Sequence, residues 1–487
     1  MKRRDFLRRT AQATAAMAFP YAGGVSRACW GAAPAGRPNV VLILVDDLGW
    51  VDLGCYGSRY YETPHIDRLA REGVRFVQGY AACAVCSPTR AAVMTGRYPA
   101  RLGVTDWIRG RFQGGTIPPD KKNPTEYVGD SGKRLLCPPN ALWMELDEIT
   151  IAEVLKAAGY ATCHVGKWHL GADDWYPDKQ GFDFNIGGCD FGQPPSYFDP
   201  YRNAQQGGIP TLKPRKEGEY LTDREADEAC RFIKEHQNQP FFLYMAHYAV
   251  HRPLQAPKEP IGKYEAKEPP HQGDPVYAAM VERVDEAVGR IVDLLDETGL
   301  ARNTLIIFAS DNGGLLDSTD NAPLRSGKGY PYEGGIRVPT IVRWPAMTDG
   351  GWDCDVPVAS IDFLPTVCAS TGAPMPNDRP IDGQNLLPVL TRTGALQRDR
   401  LYWHFPHYRD EDEVPYSIVR AGDWKLIKRY EGRPFELFNL REDLSEKNDL
   451  SEAMPQKVQE FDATLTAWLE SVRAKLPVPN PGYRATQ

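Results

Sequence analysis

A chain of 487 residues, 42% hydrophobic and 10% aromatic, is long enough to build a large core and a second, smaller unit. Its 57 Lys/Arg against 64 Asp/Glu give a net charge of −7, and beyond residue 28 the balance is 51 against 63, or −12. That sign excludes nucleic acid as a partner held by bulk charge, so any anion must be met by a local cluster of cations.

In chain order, residues 1–28 read as a targeting segment. Lys2-Arg3-Arg4-Asp5-Phe6-Leu7-Arg8 resembles a twin-arginine export motif, and a mildly apolar stretch follows from Ala11 to Val25. A plain Sec leader is the alternative; the paired arginines before Phe6-Leu7 and the weak hydrophobicity favour the twin-arginine route. Cleavage is expected after Ala28 or a few residues later, and Cys29 follows a poor lipobox. No other stretch approaches 18 uninterrupted apolar residues, so no transmembrane helix is expected. These features predict an exported protein, periplasmic or extracellular, with the twin-arginine machinery as a partner. The ten cysteines are scattered, unlike a dense disulfide scaffold, and their pairing is open.

Val40–Val45 is an unbroken apolar run, the pattern of a strand buried on both faces, and it ends in Asp46-Asp47. A short amphipathic helix over 151–158 precedes a weaker strand over 161–165, followed by Gly166-Lys167-Trp168-His169-Leu170-Gly171. A helix over 222–236 opens with a capping-box pattern, Thr222-x-x-Glu225, and precedes the strand 241–246 with His247 and His251 beyond it. A helix over 277–295 precedes the strand 304–309, which ends in Asp311-Asn312-Gly313-Gly314. Helices alternating with buried strands imply an α/β sheet covered on both faces, with ligands gathered at the strands' C-terminal ends. A Pro/Gly/Asn-rich region, 368–396, marks a boundary. Beyond it, 417–420, 424–427 and 436–440 read as short strands and about 454–474 as a final helix.

One segment carries distinctive chemistry: Cys86-Ser87-Pro88-Thr89-Arg90, continuing to Thr95-Gly96-Arg97. Pro88 suits the first turn of a helix, Arg90 then lies on the face of Cys86, and the helix N-terminus would aim N–H groups at an anion. Cys83-Ala84-Val85-Cys86 is also a C-x-x-C, which could be redox-active or half a zinc site. No second C-x-x-C exists, and that reading leaves Pro88, Arg90 and Thr95-Gly96 without a role; Cys83 is better read as a small core residue. Asp46, Asp47, Asp311 and Asn312 offer oxygen donors without histidine, which suits Ca²⁺ or Mg²⁺ rather than zinc. Either short motif alone would more often be a solvated turn.

Together these segments resemble the type I, formylglycine-dependent sulfatases of the alkaline phosphatase superfamily. The match runs over about 38–475 and includes C-x-P-x-R with T-G, G-K-W-H-L-G, and Leu324-Arg325-Ser326-Gly327-Lys328-Gly329 followed by Glu333-Gly334-Gly335-Ile336-Arg337-Val338-Pro339. The resemblance implies a large, mostly parallel mixed sheet flanked by helices over 37–385 and a smaller antiparallel sheet-plus-helix unit over 397–480. It implies that a formylglycine-generating enzyme oxidises Cys86 to Cα-formylglycine. The metal, Ca²⁺ with Mg²⁺ as a possibility, would be held by Asp46, Asp47, Asp311 and Asn312 with the oxidised Cys86 side chain. Arg90, Lys167 and Lys328 would neutralise the sulfuryl group, and Asp311 would help deprotonate the attacking oxygen. His251, with Lys328, would protonate the leaving alcohol, while His169 would take the second proton so that sulfate is expelled. His247 is an extra histidine of open role. Ser326 stands where the family often has Gly, and Tyr332 where Trp is common.

The substrate is less legible. Insertions over 105–146, with Trp107, Arg109 and Arg111, and over 172–215, rich in aromatics, could shape a pocket, although most of those aromatics read as packing. Tyr402–Tyr408 is a candidate lip through which His404 or His407 would reach substrate. The chain, with Gln193-Pro194-Pro195-Ser196-Tyr197-Phe198, resembles exported bacterial sulfatases acting on sulfated polysaccharides, which favours a sulfated carbohydrate. Aryl sulfates are the alternative, as are the phosphonate monoesters or phosphodiesters of the same superfamily; a non-catalytic carbohydrate-binding relative would be expected to lack the nucleophile or the carboxylates.

Overall fold

The computed structural model describes residues 36–110, 115–267, 273–409 and 413–484; the expected targeting segment over 1–28, Cys29 and Arg111 lie outside them. The apolar runs become strands because a chain buried on both faces must satisfy its backbone laterally. In chain order, β1 is Asn39–Val45, β2 Val74–Phe76, β3 Ala161–Gly166, β4 Phe184–Ile186, β5 Phe241–Ala246, β6 Thr304–Ser310, β7 Thr340–Arg343 and β8 Trp352–Cys354. They form one sheet in the order β8-β2-β7-β6-β1-β5-β3-β4. β7 runs antiparallel to β2 and β6, and every other pairing is parallel.

Alternation along β1 assigns the two faces. Val41, Ile43 and Val45 enter the core shared with α1 (Pro64–Glu72), α4 (Leu221–His236) and α5 (Pro275–Glu297). Val40, Leu42 and Leu44 enter the opposite core with α2 (Cys86–Thr95), α3 (Ile151–Ala157) and α6 (Phe363–Thr371). α3 carries a true capping box, with Thr150 accepting from Glu153 N and Thr150 N donating to the Glu153 carboxylate. The capping box expected at Thr222–Glu225 is absent: α4 starts a residue earlier, its N-cap is Tyr220 with no side-chain cap, and Glu225 turns instead to His247. Tertiary pairing of a buried carboxylate outweighed the local cap.

Cys368 lies inside α6, and Leu386, Val389 and Leu390 join the α2/α3/α6 core, so the chain stays with the large sheet to Leu390. A second, antiparallel sheet follows in chain order: β9 (Arg400–Phe405), β10 (Tyr416–Ala421), β11 (Trp424–Arg429) and β12 (Glu436–Asn439). Val419, Leu426 and Leu437 on one face pack on Phe461, Leu465 and Leu469 of α7 (Pro455–Ser471). Trp403, Ile418, Ile427 and Phe438 on the other face pack against Ala82, Cys83, Ala84 and Val85, the lead-in to α2. No helix among the described residues is long and apolar enough to cross a membrane.

Candidate active site

The strand ends β1, β3, β5 and β6 converge beside the N-terminus of α2. Cys86 is the first residue of α2, Val85 is the N-cap without a side-chain cap, and Gly96 closes the helix at φ 66°. Pro88 falls among the first residues, where its missing N–H costs no helical bond. Ser87 fixes two neighbours: its hydroxyl donates to His169 O at 2.9 Å and accepts from Ile108 N at 2.9 Å. His169, at φ 60°, places Nδ1 3.3 Å from Cys86 Sγ and Nε2 2.7 Å from Ile108 O. If Nε2 carries the proton for Ile108 O, Nδ1 is left as an acceptor facing the Cys86 side chain.

Beneath Cys86 lies a buried charge cluster. Ligand oxygens of Asp46, Asp47 and Asp311 lie within 4.8 Å of one another. Asp47 has φ 59°, which breaks the strand alternation and lets consecutive aspartates face one site. Three cations interleave with them: Lys167 Nζ is 2.6 Å from Asp46, Lys328 Nζ is 2.6 Å from Asp47, and Arg90 is 2.8 Å from Asp311. Arg90 also donates to Lys167 O at 3.0 Å, and His251 Nε2 stands 3.5 Å from Asp47.

Burial sets the protonation of this cluster. It raises Asp46 against the pull of Lys167, and it pushes Asp311 up to about 6 with Asp46 adding to the rise. For Asp47, burial is outweighed by Lys328 and His251, which hold it below the usual carboxylate range. Burial and then Lys328 bring His251 down to about 3; burial and then Lys167 and Arg90 hold His169 well below the usual imidazole range. Burial also raises the Cys86 thiol.

The donor set fits a hard cation. Asp46 Oδ1 and Asn312 Oδ1 are buried without a hydrogen-bond partner, while Asn312 Nδ2 donates to Asp47 Oδ1 at 2.8 Å and so turns its oxygen away from that carboxylate. Orphaned buried oxygens are costly unless something positive meets them.

A cavity of about 270 Å³ opens over Cys86. Of the residues anticipated for substrate, Trp107 lines it. Arg109 stacks over the Trp107 ring at 5.5 Å and is not part of the lining. The expected histidine lip does not form. His404 is buried on β9, with Nδ1 2.8 Å from Ser417 Oγ and Nε2 3.0 Å from Lys475 O; His407 Nε2 is 2.8 Å from Thr105 Oγ1. His404 is turned into packing by its place in β9, and His407, two residues beyond the strand, packs on Phe405 with its ring bonded to Thr105. The 172–215 aromatics are mostly packing too: Trp175 stacks on Trp143 at 4.1 Å, and Tyr197 OH bridges Tyr248 O and His251 O at 2.7 and 2.8 Å. Lining residues that sequence reasoning missed are Gln193, Arg252, Leu315 and Arg409. Gln193 and Arg252 sit in recognisable segments, but nothing in the local sequence of Arg409 marks it.

Residues 38–373 match the family Sulfatase, and residues 327–475 match N-sulphoglucosamine sulphohydrolase, C-terminal. The chain belongs to the sulfatase family. A Sulfatase of Formosa agariphila is 33% identical over 89% of this chain and 89% of its own length. The N-acetylgalactosamine-6-sulfatase of Homo sapiens is 36% identical, covering 75% and 68%. Among solved structures, that titled Ps i-CgsB in complex with k-i-k-neocarrahexaose aligns with a TM-score of 0.74 at 32% identity, covering 89% of this chain and 92% of that one. The sulfatase is thus a sulfuric ester hydrolase with the alkaline phosphatase-like fold.

Proposed function

We propose that this sulfatase removes sulfate from a sulfated carbohydrate, with Cys86 matured to Cα-formylglycine and Ca²⁺ held by Asp46, Asp47, Asp311 and Asn312. The observation that carries the reading is the placement of Cys86 at the head of α2, 3.3 Å from His169, over three carboxylates interleaved with three cations. The Sγ atom stands in for the oxygen of the oxidised side chain. That side chain would supply an aldehyde hydrate, one oxygen to attack sulfur and a second whose deprotonation expels sulfate. Bound Ca²⁺ would supply positive charge to the sulfuryl oxygens.

The remaining roles belong to the chain's own groups. Arg90, Lys167 and Lys328 offset charge on the sulfuryl group inside a buried site, where fixed charges act strongly. Asp311, with burial raising its proton affinity, takes the proton of the attacking oxygen. His169 Nδ1 takes the second proton at the Cys86 position. His251, with Lys328, donates to the leaving oxygen; a seated sulfate anion favours the imidazolium that burial and Lys328 oppose.

A carbohydrate is favoured by the cavity wall, where Gln193, His251, Arg252 and Arg409 offer polar groups beside the Trp107 side chain. The named relatives whose substrate is a sugar sulfate support the same reading. We further propose a catalytic unit over 37–385, a C-terminal unit over 397–480, and export through the 1–28 segment. The test is sulfate release from sulfated mono- and oligosaccharides, with a phosphate ester alongside and Cys86→Ala as blank, after co-expression with a formylglycine-generating enzyme. Release from one or two sugars, absent in the blank, supports the proposal. Turnover of the phosphate ester alone would overturn it.

A further inference from the structure

His169 offers Nδ1 as an acceptor only while its proton is committed at Nε2, and that commitment is to Ile108 O at 2.7 Å. The place of one backbone carbonyl therefore sets the ring's tautomer and its aim at Cys86 Sγ, 3.3 Å away. Ile108 lies in no helix or strand. Irregular backbone keeps its place through the bonds given to its polar groups. Ser87 Oγ takes Ile108 N at 2.9 Å, and one side chain clamps the three residues before it. Asn140 Oδ1 accepts from Thr105 N at 3.3 Å and from Asp106 N at 3.1 Å. Its Nδ2 donates to Asp106 O at 3.0 Å and to Trp107 O at 2.9 Å. Two acceptor and two donor positions are the full capacity of a carboxamide, and all are spent on one loop. A carboxylate of the same shape could not replace it, because its second oxygen would face two carbonyl oxygens.

Asn140 is itself braced. Pro138 and Pro139 precede it with fixed φ, and Cys137 and Val128 exchange backbone bonds of 2.8 and 2.9 Å. On its far side Met144 N donates to Leu170 O, next to His169, at 3.0 Å. Asn140 is not part of the cavity lining, so it acts through Ile108 and not on the substrate. We propose that Asn140 is a positioning residue for the reaction: by fixing Thr105, Asp106 and Trp107 it holds Ile108 O against His169 Nε2 and keeps Nδ1 open toward the Cys86 position. The kinetic consequence rests on the role that the sulfatase reading gives His169; the tautomer does not.

Two measurements on wild type, Asn140→Asp and Asn140→Ala test this. Nitrogen-15 NMR of the full chain, labelled at histidine and produced without formylglycine-generating enzyme, reads the tautomer, with His169 assigned by its loss in His169→Asn. Wild type should carry the proton on Nε2, and both variants should show an averaged or Nδ1-protonated ring. On matured enzyme, with N-acetylgalactosamine 6-sulfate or the sulfated saccharide that wild type turns over fastest, kcat should fall about tenfold or more, and by more than KM rises. A wild-type ring protonated on Nδ1 overturns the clamp, and so do variants that keep the wild-type tautomer, whatever their Tm. A changed tautomer with kcat kept within about twofold overturns the link to the reaction. Absence of sulfate release by wild type overturns the sulfatase reading, while the NMR result still decides the clamp. Asn140→Asp, which keeps the shape and the bonds from Thr105 N and Asp106 N, carries the test if Asn140→Ala does not fold.

Discussion

Two of the buried clusters of carboxylates and cations among the described residues solve different problems. The first is the set beneath Cys86, with its orphaned Asp46 and Asn312 oxygens beside a cavity. The second joins the two sheets: Lys425 of β11 lies 3.0 Å from Glu333 and 2.8 Å from Glu446, all three side chains fully buried. Tyr80 OH donates to Glu333 at 2.7 Å, and Glu333 N donates to Glu446 at 2.7 Å. None of these residues lines the cavity over Cys86. The difference teaches that buried charge by itself does not mark a site. The functional cluster has three carboxylates crowded together, and a cavity opens over the Cys86 beside them. The structural cluster has two carboxylates around Lys425, with Arg337 also 3.4 Å from Glu333, so each acid is met by a cation of the chain itself.

The largest effect should come from Cys86→Ala, which is expected to lower kcat by at least about a thousandfold while changing stability by about 1 kcal/mol. Retained turnover in sulfate-release assays would break the assignment of the first cluster to chemistry. Asp311→Ala should abolish calcium in elemental analysis and lower activity by about a hundredfold or more, and calcium, expected to raise Tm in wild type, should leave the variant's Tm unchanged. Unchanged calcium content would contradict the ligand set.

Lys425→Met sharpens the contrast from the other side. Stranding two buried carboxylates should destabilise the protein by about 3–5 kcal/mol, read as a shift in denaturation midpoint, with specific activity of the folded fraction kept. The second cluster also has a pH signature. Burial and neighbouring Glu333 push Glu446 up to about 7 against Lys425, so its proton is held more tightly folded than unfolded. Its contribution to stability is complete below the unfolded value near about 4.3 and is lost as pH rises toward 7. Glu333 behaves oppositely: burial is outweighed by Lys425, Arg337 and Arg420, which hold it down to about 2, and its contribution disappears only in strong acid. Glu446→Gln should therefore remove part of the fall in Tm between about pH 5 and about pH 7; parallel curves for variant and wild type would refute this. The smallest effect is expected at Ser326, which adopts φ 61°. Ser326→Gly should relieve left-handed strain and change stability by no more than about 1 kcal/mol, measurable by Tm.

Much of this architecture was legible from periodicity. The runs at 40–45, 241–246 and 304–309 became central strands almost residue for residue, because strands buried on both faces leave unbroken apolar runs. The short strands β2, β4, β7 and β8 were not visible, since three or four residues carry too little pattern. Tyr402–Tyr408 was misread because alternating aromatics serve a lip and a packed strand equally well, and β9 turned out to be the strand.

The sequence by itself determined the family, the reactive cysteine and the polar residues following each buried strand, because those depend on residue type and local spacing. Only the tertiary structure decided which charges meet. Lys425 and Glu333 are 92 positions apart, Lys328 and Asp47 are 281, and Arg409 reaches the cavity from a different sheet over the missing side chain of Gly329. Contacts over such separations follow from how sheets and helices pack, and no local pattern encodes them.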